Sequence, residues 1–305
     1  MEAILSGHEA EVESLLSEGA RVDTSNPDEL QPLHQSLILG QSGITSLLLR
    51  FGASIHAVDS HHWSALHFAA QYKGPALELL ARGADVAAQN DLGETALHLA
   101  IRSQETRTIS HLLRRHASPN ILSEEGMTPF HLLLPLSMPH NQGWLDRPTD
   151  YCSTVSQFVK FGASVTEPLS SGETPVQTFM DALYLLGNQS KFPLGSNFKE
   201  AASLALNDLL SNGADCTVFV PGAQGTIVEG VFKSASSRWP RTDCPFWAQH
   251  QFWELAVTIC NNIPLEFEIT GHGTLLHFIC DKLWEREYGS ALRSRRMKKM
   301  YVYPS

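Results

Sequence analysis

Along the chain, leucine pairs are followed two residues later by Gly-Ala, and the polar stretches between them hold a second, shorter apolar run. Leu15-Leu16, Leu48-Leu49 and Leu79-Leu80 lead to Gly19-Ala20, Gly52-Ala53 and Gly83-Ala84, while Leu112-Leu113 leads to His116-Ala117. The shorter runs read Pro32-Leu33-His34, Ser64-Ala65-Leu66-His67-Phe68-Ala69, Thr95-Ala96-Leu97-His98-Leu99-Ala100 and Thr128-Pro129-Phe130-His131-Leu132. A Ser or Thr before such a run caps the free amides of a helix start, and Pro suits a first helical turn. At the other end, Gly enters the left-handed region at little steric cost and stops a helix. Each unit is therefore predicted to be helix, turn, helix and a short extended link.

The register repeats. From Gly19 to His34, Gly52 to His67 and Gly83 to His98 the interval is 15 residues, and it holds from His116 to His131, Gly162 to Gln177 and Asn262 to His277. Successive helix stops lie 33, 31 and 33 residues apart up to His116, then 46 to Gly162 and 51 to Gly213. With the stop-to-histidine interval constant, the extra residues fall between the two helices of a unit. The inserts, Pro135 to Tyr151, Gly187 to Phe198 and Lys233 to Pro245, are rich in Pro, Gly, Ser and Asn, as loops are, and carry Trp144, Phe192 and Trp239. Those rings either cover the ends of their own helices or form a second contact ledge.

A helix-turn-helix unit of this length with Thr-Pro-Leu-His-like starts resembles the ankyrin repeat. The resemblance implies an all-α solenoid of about seven units with short β-hairpin links, one continuous core and no internal domain boundary. It divides into a partial capping repeat over 1–26, repeats over 27–171 with the last enlarged, degenerate enlarged repeats over 172–270, a capping half repeat over 271–289 and a basic tail over 290–305. It also implies that His34, His67, His98, His131 and His277 are structural, hydrogen-bonding neighbouring units together.

Charge narrows the partners. Charged residues make up 18% of the chain at a net charge of −10, and five of the 22 basic residues fall after Ser290, leaving 17 against 32 acids elsewhere. Such a body repels nucleic acid and anionic membrane. The tail, with Arg293, Arg295, Arg296, Lys298 and Lys299, reads as a nuclear address, a dock for an acidic partner or a solvated end. Five scattered cysteines without Cys-x-x-Cys, a start lacking a signal-peptide pattern and no long apolar run point to the cytoplasm, with the nucleus open through the tail.

No chemistry emerges. His61, His62 and His67 place three imidazoles in seven residues, but the first two belong to a hairpin tip and the third to the stack, so they do not converge on a metal. Gly222 to Gly225 with Gly230 lacks dinucleotide-loop spacing, and no Walker lysine or Gly-x-Ser-x-Gly elbow occurs. No cofactor or metal is expected, and the chain reads as a non-catalytic, monomeric module for a protein partner. Family geometry puts the contacts on hairpin tips and the groove side of the first helices: Ser60, His61 and Trp63; Asp91, Leu92 and Glu94; Glu124, Glu125 and Met127; and Tyr72 with Arg102. The acids favour a partner presenting Lys or Arg, and Trp63 has the character of a binding hot spot. The alternative is a substrate-recognition adaptor of ubiquitin-ligase type, with Gly222 to Tyr288 recruiting the effector. An enzyme built on the inserts would need a polar pocket that the sequence does not reveal.

Overall fold

The computed structural model describes residues 1–24, 30–189 and 196–215, together with two short strands, β1 (Glu268–Ile269) and β2 (Gly273–Thr274), which pair antiparallel. Six helix pairs follow one another: α1 (Glu2–Leu5) with α2 (Glu9–Ser17), α3 (Pro32–Ile38) with α4 (Ser42–Arg50), α5 (Ala65–Gln71) with α6 (Ala76–Ala81), α7 (Ala96–Arg102) with α8 (Thr106–Arg114), α9 (Pro129–Leu133) with α10 (Pro148–Lys160), and α11 (Pro175–Gln189) with α12 (Ser196–Ser211). First helices pack on first helices from α1 through α9, and second helices on second in α2 with α4, α6 with α8, and α10 with both α8 and α12. One apolar core runs from Ala3 to Ala214. The signature position His277, the adaptor segment Gly222 to Tyr288 apart from the two strands, Phe192, Trp239 and the basic tail lie outside the described residues.

Every second helix ends alike. Gly19, Gly52, Gly83, Gly162 and Gly213 have φ between 86 and 94°, and the N–H of the following alanine reaches back five residues, as in Ala53 to Leu48 (2.9 Å) and Ala214 to Leu209 (3.1 Å). His116 does the same job at φ 63°, with Ala117 bonded to Leu112 at 3.0 Å. The turn inside each of the first four units has a second left-handed residue, respectively Gly7, Gly40, Lys73 and Gln104.

The signature histidines connect the units. In His67 and His98, Nδ1 accepts the backbone N–H of the helix-capping Ser64 or Thr95 at 3.0 Å and their hydroxyls at 2.9 Å. Nε2–H then donates to the next unit, to Glu94 O at 3.0 Å and Met127 O at 3.1 Å, and His34 reaches Ala57 O at 3.1 Å. This uses one neutral tautomer at full capacity. Gln177 copies half of it, its Oε1 accepting the Thr174 N–H at 2.7 Å. His131 departs: the backbone of Glu167 holds the ring, but the buried Nδ1 has no partner. Burial lowers the pKa of all four rings, that of His98 to about 4. The unfolded chain thus binds protons that the folded one refuses. Stability from His98 is complete above pH 6.5 and is lost as pH falls toward about 4.

The first insert is not a loop. Pro139–Asp146 form a 3₁₀ helix and Pro148 to Tyr151 the opening turn of α10. Trp144 is fully buried, with its ring 6.2 Å from Tyr151 and 5.1 Å from the Arg147 guanidinium, so it seals its own unit and offers no ledge. The insert docks on the turn of the preceding unit, where Gln104 Nε2 donates to His140 O at 2.5 Å and Arg147 donates to Gln104 O at 3.1 Å. Asn141 donates to the carbonyls of Leu132 and Pro135, which ends α9 after five residues.

The exposed His116 occupies a conformation that disfavours side chains. His116→Gly should raise the unfolding free energy by about 1 kcal/mol; a thermal melt that is unchanged or lower would contradict the strain assigned to this stop.

Candidate protein-binding groove

The hairpin tips are built on one plan. Asp59 N–H donates to Trp63 O, Asn90 to Glu94, Ser123 to Met127 and Leu169 to Glu173. Within the tips, Asp59 Oδ1 accepts from the N–H groups of His61 (2.9 Å) and Trp63 (2.7 Å), and Asn90 Oδ1 accepts from Leu92 (3.0 Å) and Glu94 (2.9 Å). Short polar side chains stabilise tight turns in this way. The turn then needs φ > 0, supplied by Gly93, Gly126 and Gly172 and, unusually, by His62 at 58°. Gly93 also has a steric reason, since a Cβ there would stand 2.9 Å from Glu124 N. Adjacent tips are laced by backbone bonds, Asp91 N–H to His61 O (3.1 Å) and Glu124 N–H to Leu92 O (2.9 Å).

These contacts decide which candidate residues face solvent. Ser60, His61, Asp91, Leu92, Glu124 and Glu125 are exposed, Leu92 by 56%, and Tyr72 is exposed by 46% at the end of α5. Trp63 is half-buried: its ring lies 5.3 Å from Phe68 and 6.1 Å from His67, and Phe68 stacks on Tyr72 at 6.5 Å. Trp63, Phe68 and Tyr72 thus form an aromatic step descending from the first tip into the groove. Phe68, absent from the sequence-derived set, is its buried middle.

Two candidates are not surface contacts. Glu94 and Met127 share the register position of Trp63, the last residue before the helix cap, where the backbone turns the side chain inward. Met127 is buried, and the Glu94 side chain is 6% exposed and bonded at 2.8 Å to Arg102, itself 34% exposed. Arg102 also lies 3.7 Å from Glu125 of the next tip. Asp91 is bracketed by imidazoles, with His62 Nδ1 at 2.6 Å and His61 Nδ1 at 3.5 Å. His67 sits fully buried beneath that tip, so the three rings diverge, and among the described residues no cluster of His, Cys, Asp and Glu is arranged to hold a metal. Cys152 is buried in the core, and burial pushes its thiol up, away from the reactive thiolate. No described helix is long and apolar enough to cross a membrane.

Residues 1–90 match the family profile for ankyrin repeats in three copies, and residues 92–124 match a further ankyrin repeat. Human B-cell lymphoma 3 protein is similar, at 34% identity over 34% of this chain and 24% of its own length. Mouse protein phosphatase 1 regulatory subunit 27 is 37% identical over 24% of this chain and 49% of its own. The human Notch-regulated ankyrin repeat-containing protein is 38% identical over 23% and 64%. The chain therefore spans less than two thirds of each of these relatives.

Removing Arg102 strands the carboxylate of Glu94 in a nearly dry site. Arg102→Ala should lower the unfolding free energy by about 1–3 kcal/mol in denaturant titrations, partial exposure of Arg102 keeping the loss below that of a fully buried pair. Removing both charges, as Glu94→Gln with Arg102→Met, should recover most of it. Equal losses in the two proteins would show that the pair has no such role.

Proposed function

Since this chain is an ankyrin-repeat protein, its matched units running through residues 1–124, we propose that it works as a non-catalytic binding module that grips a protein partner across the tips and groove of units three to five. The observation that carries this reading is the aromatic step. Trp63 and Tyr72 keep ring area open to solvent while Phe68, buried between them, fixes their positions. Rigid aromatic surface beside a polar rim is the usual anatomy of a binding hot spot, because little side-chain entropy remains to be lost on contact. Leu92 adds an apolar knob on the adjoining tip.

Charge sets the partner's chemistry. With Glu94 committed to Arg102, the outward acids are Glu124, Glu125 and Asp91, of which Glu124 makes no ion pair among the described residues. A partner presenting Lys or Arg around an apolar anchor fits this surface. The same reading makes the chain a monomer of the cytoplasm or the nucleus.

Affinity purification of the full chain tests the reading, using Tyr72→Ala combined with Leu92→Asp, both exposed positions. A protein retained by the wild type and lost with this variant, at an unchanged melting temperature, is the expected result. The same proteins recovered in equal yield from both chains would reject the groove.

A further inference from the structure

We propose that the outer face of α8 and the cleft between α8 and α10 form a second docking surface, on the side away from the tips, for an acidic peptide segment of a partner protein. From Thr106 to Arg115 there is no acid. The helix buries Ile109, Leu112 and Leu113, which turns Arg107, His111 and Arg114 outward at the i, i+4 and i+7 spacing of one helical stripe, with Arg115 beside its end. Arg50, Arg82, Arg102, Arg147 and Lys160 are each matched to a carboxylate within 4.0 Å. Arg107, Arg114 and Arg115 are exposed and form no ion pair among the described residues. They create a local field that attracts carboxylates and aims them by fork-shaped donation.

The cleft beside the stripe has a volume of about 430 Å³ and is walled by Thr106, Ser110, Ser153, Thr154 and Gln157. Ser110 donates to Gln157 Oε1 and Thr154 to Asp150 O, each at 2.7 Å, which leaves the Thr106 and Ser153 hydroxyls and the Gln157 amide N–H groups to hydrogen-bond a peptide backbone without demanding a sequence. Two carboxylates lie near: Glu105 precedes the helix, and Asp150 faces Arg107 across the cleft, 4.0 Å from Arg147. Lys160 of α10 is already held by Asp208. The stripe is about 10 Å long at 1.5 Å per helical residue, which matches about three residues of extended chain. That length suits a short acidic peptide. Nucleic acid and anionic bilayers present charge over a wider span, most of which would meet the acidic remainder of the body.

Fluorescence anisotropy with the full chain and a short fluorescein-labelled peptide of alternating Glu and Ser tests this directly. The wild type should bind it at low salt and release it as salt rises. Arg107→Glu with Arg114→Glu should weaken binding by about tenfold or more, with an unchanged melting temperature. Asp150→Asn should tighten it, and Trp63→Ala should leave it alone, which separates this surface from the groove. No binding by the wild type, equal binding by the reversed variant, or retention on phosphatidylserine vesicles with no binding of the peptide would each overturn the proposal.

Discussion

A buried, neutral imidazole between successive units is the interaction on which the rest of the structure depends. Its Nδ1 fixes the first turn of one helix by accepting an otherwise orphaned backbone N–H, and its Nε2 fixes the next tip by donating to a carbonyl that water does not reach. A tip held this way stands in defined register with the helix behind it. The backbone bonds from tip to tip, His61 to Asp91 and Leu92 to Glu124, then extend that order along the ridge. A groove assembled from such parts is ordered in the free chain, so the proposed contact costs little ordering entropy.

The same constraint explains how the polar residues divide. Side chains immediately before the helix cap point back over the first helix, and the chain fills that position with Trp63, Glu94, Met127 and, half-buried, Glu173. An aromatic or a methionine is at ease there. A glutamate is not, and Arg102, eight residues later on the adjoining helix, neutralises it. Polar residues at the very tip escape this geometry, so Asp91 and Glu124 are free to meet solvent. The two faces of the stack also differ in sign, acidic along the tips and basic along α8.

Much of this architecture was legible in the sequence because it is carried by single residues with distinct physics. A helix stop, a hydroxyl at the cap and histidine three residues on announced the third, fourth and fifth units, even where His116 replaced the glycine, while Gln31 at the cap of the second and Gln177 at the histidine position of the sixth kept the register. The left-handed Lys73 and Gln104 were legible only by register, falling 33 and 31 residues after Gly40 and Lys73. Burial of Glu94 and Met127 was hidden, since family position suggested a surface for both and polarity did so for Glu94. The shared position with Trp63 was the available signal, an apolar residue in two of three tips. The insert around Trp144 was read as a loop from its Pro, Gly and Asn content. Its helix depends on contacts with Gln104 and Asn141 that no local pattern reveals.

The tautomer of the signature histidines is the most direct measurement. Long-range nitrogen NMR of the imidazole rings in the full chain, followed from about pH 7.5 down to about pH 5, should show His67 and His98 neutral and protonated on Nε2 throughout, since His98 does not take a second proton until about pH 4. Rings that titrate near pH 6.5, the value of an unburied histidine, or that carry their proton on Nδ1, would mean that the units are not joined through these bonds, and the preformed groove would lose its foundation.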